Sequence, residues 1–75
     1  MKKYQVVVKL KPNVLDPQGK AVQQAAERMA LKGIGSIRMG KYFEIETEDD
    51  VTLESIQVLA KKILTNEVIE IFEVF

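Results

Sequence analysis

The chain has 75 residues, no cysteine and no histidine, and 11 basic residues balance 11 acidic ones. Those counts exclude a disulfide framework and thiolate metal sites, and they remove the commonest general base. A neutral chain has no basic excess to set against a phosphate backbone, which argues against nucleic-acid binding.

A single domain this short buries only about 60% of the surface its unfolded chain exposes. With disulfides and thiolate metals excluded, a partner subunit is the expected source of further stability. The apolar runs are too short to span a bilayer. The segment Lys2-Lys3-Tyr4-Gln5-Val6 lacks the apolar core of a signal peptide, so a cytoplasmic location is expected.

In chain order, Tyr4, Val6, Val8 and Leu10 alternate with Gln5, Val7, Lys9 and Lys11, the period of a half-buried strand. Pro12 ends the ladder. Asp16-Pro17 has the composition of a helix start: an acceptor for free backbone N–H groups, then proline at the first helical position. Val22, Ala25, Ala26, Met29 and Ala30 recur at helical spacing, and Gly33 is suited to closing the helix, which is predicted from about Pro17 to Lys32. Ser36–Met39 reads as a short strand, Gly40-Lys41 as a turn, and Tyr42–Thr47 as a third strand. Thr52 caps a second helix with Leu53, Ile56, Leu59, Ala60, Ile63 and Leu64 on its buried side. Asn66 marks its exit, and Glu67–Phe75 is a final strand.

The order β-α-β-β-α-β predicts an α+β fold: a ferredoxin-like two-layer sandwich with two helices on one face of a four-stranded antiparallel sheet, forming one domain over residues 1–75. The uncovered face would carry Gln5, Val7, Lys9 and Lys11 beside Tyr42, Glu44 and Glu46, with the lysines placed to meet the glutamates. The last strand is apolar on both sides, Val68, Phe72 and Val74 on one and Ile69, Ile71 and Phe75 on the other. A single helical layer covers one side only, so Ile69, Ile71, Phe72 and Phe75 are candidate contacts with another copy, in a dimer or tetramer.

No catalytic constellation is legible. Ser36, Ser55, Thr47, Thr52 and Thr65 have no histidine to activate them, and Thr52 and Ser55 fit a helix start. Glu44, Glu46, Glu48, Asp49 and Asp50 are oxygen donors, yet alternating glutamates on a strand read as its polar side rather than a metal site. Gly33-Ile34-Gly35 follows a helix, whereas a dinucleotide loop precedes one. Gly40-Lys41-Tyr42-Phe43 has some likeness to an RNA-binding strand, but Glu44 and Glu46 would repel phosphate. The joint Asp16-Pro17-Gln18-Gly19-Lys20 has free amides and a lysine that suit an anion, but Asp16 occupies those amides and repels one, which favours a cap.

The stretch Leu10-Lys11-Pro12-Asn13-Val14-Leu15-Asp16-Pro17-Gln18-Gly19-Lys20-Ala21-Val22 closely resembles the PurS family, small subunits of phosphoribosylformylglycinamidine synthase. The resemblance continues through Gly33, Ile37-Arg38, Gly40-Lys41-Tyr42 and Glu44, and on to Leu64, Asn66 and Val68-Ile69-Glu70. It implies a non-catalytic part of an ATP-dependent carbon–nitrogen ligase that takes its amide nitrogen from glutamine. Such a subunit is expected to associate with itself and to bridge a synthetase and a glutaminase, helping ammonia pass between them. It is expected to hold no cofactor, ATP and magnesium lying on the synthetase. Asp16, Gln18, Gly19, Lys20, Lys41 and Tyr42 are the candidate partner contacts. The rival reading is an amino-acid sensor of the ACT type, which shares the element order and a glycine after its first helix; RNA binding is a third.

Overall fold

The computed structural model describes residues 1–75. Strand β1 (Lys2–Leu10) is central, between β2 (Gly40–Thr47) and β3 (Glu70–Val74), in one antiparallel sheet ordered β2-β1-β3. Tyr4, Val6 and Val8 lie opposite Ile45, Phe43 and Lys41 on one side, and Val6 and Val8 opposite Val74 and Phe72 on the other. The side chains alternate as the sequence pattern requires, so Val6 and Val8 reach zero exposure on the inner face.

Helix α2 (Leu53–Leu59) lies on that face and continues as a π-helical turn over Ala60–Leu64. Ile56 and Ala60 bury against Val6 and Val8, with Tyr4, Phe43, Ile45, Val51, Leu64, Phe72 and Val74 around them. Thr52 caps α2 as expected, its Oγ1 accepting from the Ser55 N–H at 3.2 Å. Beyond Thr65 the chain turns on Asn66, whose carbonyl accepts from the Ile69 and Glu70 N–H groups. The final strand therefore starts at Glu70, and the predicted start at Glu67 is too early because 67–69 belong to this turn.

Helix α1 (Pro17–Arg28) runs off the end of the sheet, and none of its apolar side chains reaches the core cluster. It ends four residues before the predicted Lys32. The Ala30 N–H donates to the Glu27 carbonyl (2.9 Å) and the Leu31 N–H to the Ala26 carbonyl (3.2 Å), with Ala30 at φ 61°. This is the paired-bond closure usually built on a left-handed glycine, here with alanine in that place. Gly33 is also left-handed, at φ 86°, but it lies beyond the helix.

The predicted strand over Ser36–Met39 does not form, and the sheet has three strands rather than four. Gly40-Lys41 is not a turn: the chain passes straight through it into β2, with Gly40 opposite Lys9. A Cβ on Gly40 would sit 2.5 Å from the Val8 carbonyl oxygen, so glycine there permits the close approach. Within segment 36–39 the Met39 N–H, which a strand would pair across the sheet, donates to Asp16 instead.

The fold is α+β, with an antiparallel sheet and two helices, as predicted. It is nonetheless drawn out to 50 × 26 × 15 Å. The radius of gyration is 15.8 Å, against about 11 Å for a compact chain of this length.

Candidate functional site

The joint between β1 and α1 is the most organised polar feature of the molecule. Asp16 is the N-cap of α1 and nine-tenths buried. Its Oδ1 accepts from the Gly19 N–H at 2.8 Å, and its Oδ2 accepts from the Met39 N–H at 2.7 Å. One carboxylate thus starts a helix and fastens the residues preceding β2 to that start. Those two backbone bonds, Gly19 first and Met39 second, hold the Asp16 carboxyl below its ordinary value of 3.8, and the Arg38 charge adds to them.

Gly19 is required for space rather than for flexibility. A Cβ there would fall 2.3 Å from the Ile37 carbonyl oxygen and 2.7 Å from Asp16 Oδ2. The first turn of α1 lies directly on the backbone of segment 36–39, and any side chain would push them apart.

Arg38 completes the joint. Its guanidinium donates to the Val14 carbonyl (3.0 Å) and to the Lys11 carbonyl (2.9 Å), tying the loop after β1 to the approach to β2. Two donors held in one plane suit two carbonyls at once. Reading the residues one by one did not mark Arg38, since nothing local distinguishes it from a solvated cation; only its place in the Ile37-Arg38 match hinted at a role.

Of the candidate partner contacts, Asp16 and Gly19 turn inward and build the joint. Lys20 is exposed and lines a cleft of about 370 Å³ with Leu15, Gln23, Gln24 and Arg38. Gln18 lines a second cleft of about 270 Å³ that also reaches Asp16, Lys41 and Glu70. Lys41 and Tyr42 are adjacent in sequence but point to opposite faces of β2. Lys41 Nζ lies 3.4 Å from Glu70 Oε2, while the other oxygen of Glu70 accepts from the Asn66 N–H at 2.8 Å. Tyr42 stands on the outer face opposite Val7. The structure therefore unites Asp16, Gln18, Gly19, Lys20 and Lys41 around one end of the sheet and leaves Tyr42 apart from them.

The outer face carries Gln5, Val7, Lys9, Tyr42, Glu44, Ile71 and Glu73, with Lys3 and Glu46 at its end. Lys9 meets Glu73 at 3.7 Å and Lys3 meets Glu46 at 3.8 Å, both exposed. The lysine–glutamate pairing expected of this face is present with different partners. Pairs of this kind contribute little stability. Ile71 and Phe75 are exposed beside them, and Ile69 sits in the preceding turn, whereas Phe72 packs against the core on the inner face. The four candidate oligomer contacts thus divide, three outward and one inward.

Of the serines and threonines, Ser36 lines the same cleft as Asp16 and Arg38, Thr52 and Ser55 bond one another at the start of α2, and Thr65 closes the π-helical turn. Fold and joint together define a small α+β module built to present a positioned helix and an open sheet face, which is the construction of an assembly subunit. Its sequence matches the family model described as PurS, phosphoribosylformylglycinamidine (FGAM) synthase, over residues 3–75, and the chain belongs to that family.

It is 42% identical over 65 residues to phosphoribosylformylglycinamidine synthase subunit PurS of Mycobacterium leprae, covering 87% of this chain and 82% of that one. The solved structure of PurS from Bacillus subtilis superposes with a TM-score of 0.89 at 40% identity, over 100% of this chain and 96% of that one. PurS of Methanocaldococcus jannaschii, described as one of the subunits of formylglycinamide ribonucleotide amidotransferase in the purine biosynthetic pathway, gives 0.87 at 30% identity, over 100% and 94%.

Proposed function

We propose that this chain is the small subunit of phosphoribosylformylglycinamidine synthase in purine biosynthesis, a ligase that draws its nitrogen from glutamine. The match to the PurS family along residues 3–75 carries this reading. It also answers the rival amino-acid sensor, which rested on element order alone.

In this reading the residues form one domain that contributes contact surface and no chemistry. The synthetase holds ATP and magnesium, the glutaminase releases ammonia, and this subunit bridges them in the cytoplasm while associating with copies of itself. No helix is long and apolar enough to cross a membrane. The joint supports the bridging role physically. Asp16, Gly19 and Arg38 spend their bonds inward, so the exposed Gln18 and Lys20 are displayed from a backbone that does not have to be ordered on binding. The exposed Ile69, Ile71 and Phe75 offer apolar surface for self-association.

The test is to mix the chain with a synthetase and a glutaminase of the same pathway, with ADP and glutamine present. One three-component species should elute, and glutamine-dependent amidation should need all three. Glutamine-dependent turnover by the other two chains alone, at the same rate, refutes the reading.

A further inference from the structure

A cleft of about 400 Å³ lies where β1 ends, lined by Lys9, Leu10, Pro12, Arg38, Met39 and Ile71. Lys9 has Gly40 opposite it on β2 and Ile71 opposite it on β3. Gly40 brings no side chain to fill this end of the sheet, and Met39 and Ile71 stay 39% and 40% exposed beside it. The lining is therefore apolar apart from two cations, with no acid among its residues.

Both cations can take a new partner. Arg38 forms none of the chain's ion pairs. Its guanidinium has five N–H donors, and the carbonyls of Val14 and Lys11 fix its place without neutralising it. It is thus ordered before anything binds, which lowers the cost of binding. Lys9 is tied only to Glu73, at 3.7 Å between exposed side chains, and a pair of that kind contributes little.

An apolar floor beside two cations fits a large apolar side chain with a carboxylate next to it. Covering Met39 and Ile71 takes apolar surface out of water, and the carboxylate gains charge-assisted bonds to an arginine already in place. The only polar side chains of the lining are the two cations, so nothing there reads a sugar or a base, which disfavours a nucleotide. A second copy placed with a two-fold axis through the cleft would set cation against cation, which disfavours self-contact here. The charge pattern calls for a different protein chain.

We propose that this cleft is the socket for an anchor on a partner enzyme chain of the assembly. A large aliphatic or aromatic side chain of the partner seats against Leu10, Met39 and Ile71, while an Asp or Glu beside it in the partner's sequence meets Lys9 and Arg38. The proposal deepens the assembly reading and rests on it.

The chain has no cysteine, so Asn13→Cys, exposed next to Pro12, carries a single benzophenone label near the cleft. Irradiated in the three-component assembly, it should attach to a partner segment bearing the apolar residue and its acid. Met39→Asp and Lys9→Glu should each raise the dissociation constant of the assembly about tenfold or more. Met39→Leu, which keeps the apolar volume, should leave it near the unaltered value, and changing the captured acid to lysine should restore binding to Lys9→Glu. Attachment to a second copy, to no protein, or to a segment without a carboxylate overturns the proposal, as does an unchanged constant in either charged variant. If Met39→Asp fails to fold, the label and Lys9→Glu, at an exposed position, decide. Normal assembly by both charged variants removes the socket alone, whereas no assembly by the unaltered chain removes the assembly reading and the socket together.

Discussion

Replacing Gly19 by alanine sets two opposing effects against each other. Alanine in an unhindered helix is favoured over glycine by about 1 kcal/mol, and Gly19 lies in the first turn of α1. Here, however, the new Cβ would stand 2.3 Å from the Ile37 carbonyl oxygen, a backbone atom with no rotamer through which to escape. Regaining van der Waals contact requires segment 36–39 to retreat by roughly 1 Å. That movement also stretches the 2.7 Å bond from the Met39 N–H to Asp16.

Overpacking costs about 1–3 kcal/mol, and a clash with backbone belongs at the upper end of that range. Subtracting the helix gain leaves Gly19→Ala destabilising by about 2 kcal/mol. With a urea slope near 1 kcal/mol/M for a chain of this size, the unfolding midpoint should fall by about 2 M. The two chains are compared at one protein concentration, since self-association shifts midpoints. An unchanged or higher midpoint refutes the contact between α1 and segment 36–39, and with it the physical reason given for Gly19.

Further outcomes follow from the same geometry. Because the Asp16 carboxyl is held below 3.8 by backbone donors, its contribution is complete above that value and is lost as pH falls through the lower folded-state value. The advantage in urea midpoint of the unaltered chain over Asp16→Asn should therefore be flat from pH 5 to 7 and shrink below about pH 4; an advantage that persists to pH 2 contradicts the bonding scheme. Ala30→Gly should raise stability by about 0.5–1 kcal/mol in thermal or urea melts, since alanine pays for its left-handed place after α1 and glycine does not. Lys20→Glu should weaken assembly with the synthetase and glutaminase at least tenfold in a pull-down titration while leaving the melt within about 0.5 kcal/mol, as expected of an exposed position; normal assembly by this variant removes Lys20 from the contact surface.

The sequence carried the local elements well. Alternation placed β1 and fixed which side of it is buried, because strand periodicity depends only on neighbouring residues. The Asp16-Pro17 start and the Thr52 cap were legible for the same reason, since each involves bonds that span three residues. Helical spacing likewise picked out Ile56, Ala60 and Leu64, but Leu53 and Ile63, expected on the same buried side, are exposed.

Two of the errors fell where the bonding partner is distant. Ser36–Met39 has strand composition, yet Met39 donates to Asp16, 23 residues away, and Arg38 donates to Lys11, 27 residues away. Gly40-Lys41 has turn composition, yet Gly40 is selected by the Val8 carbonyl across the sheet. The end of α1 comes earlier than Gly33 suggests, because alanine at position 30 does the closing work usual for glycine.

By itself, then, the sequence determined the start of each helix, the buried side of β1, and through the stretch Leu10–Val22 the family. The tertiary structure decided what that stretch is for mechanically. Asp16 and Gly19 at the helix start are brought against Arg38 and Met39 of segment 36–39 to fix the direction of α1. That direction depends on bonds between residues far apart in the chain, which no local pattern encodes.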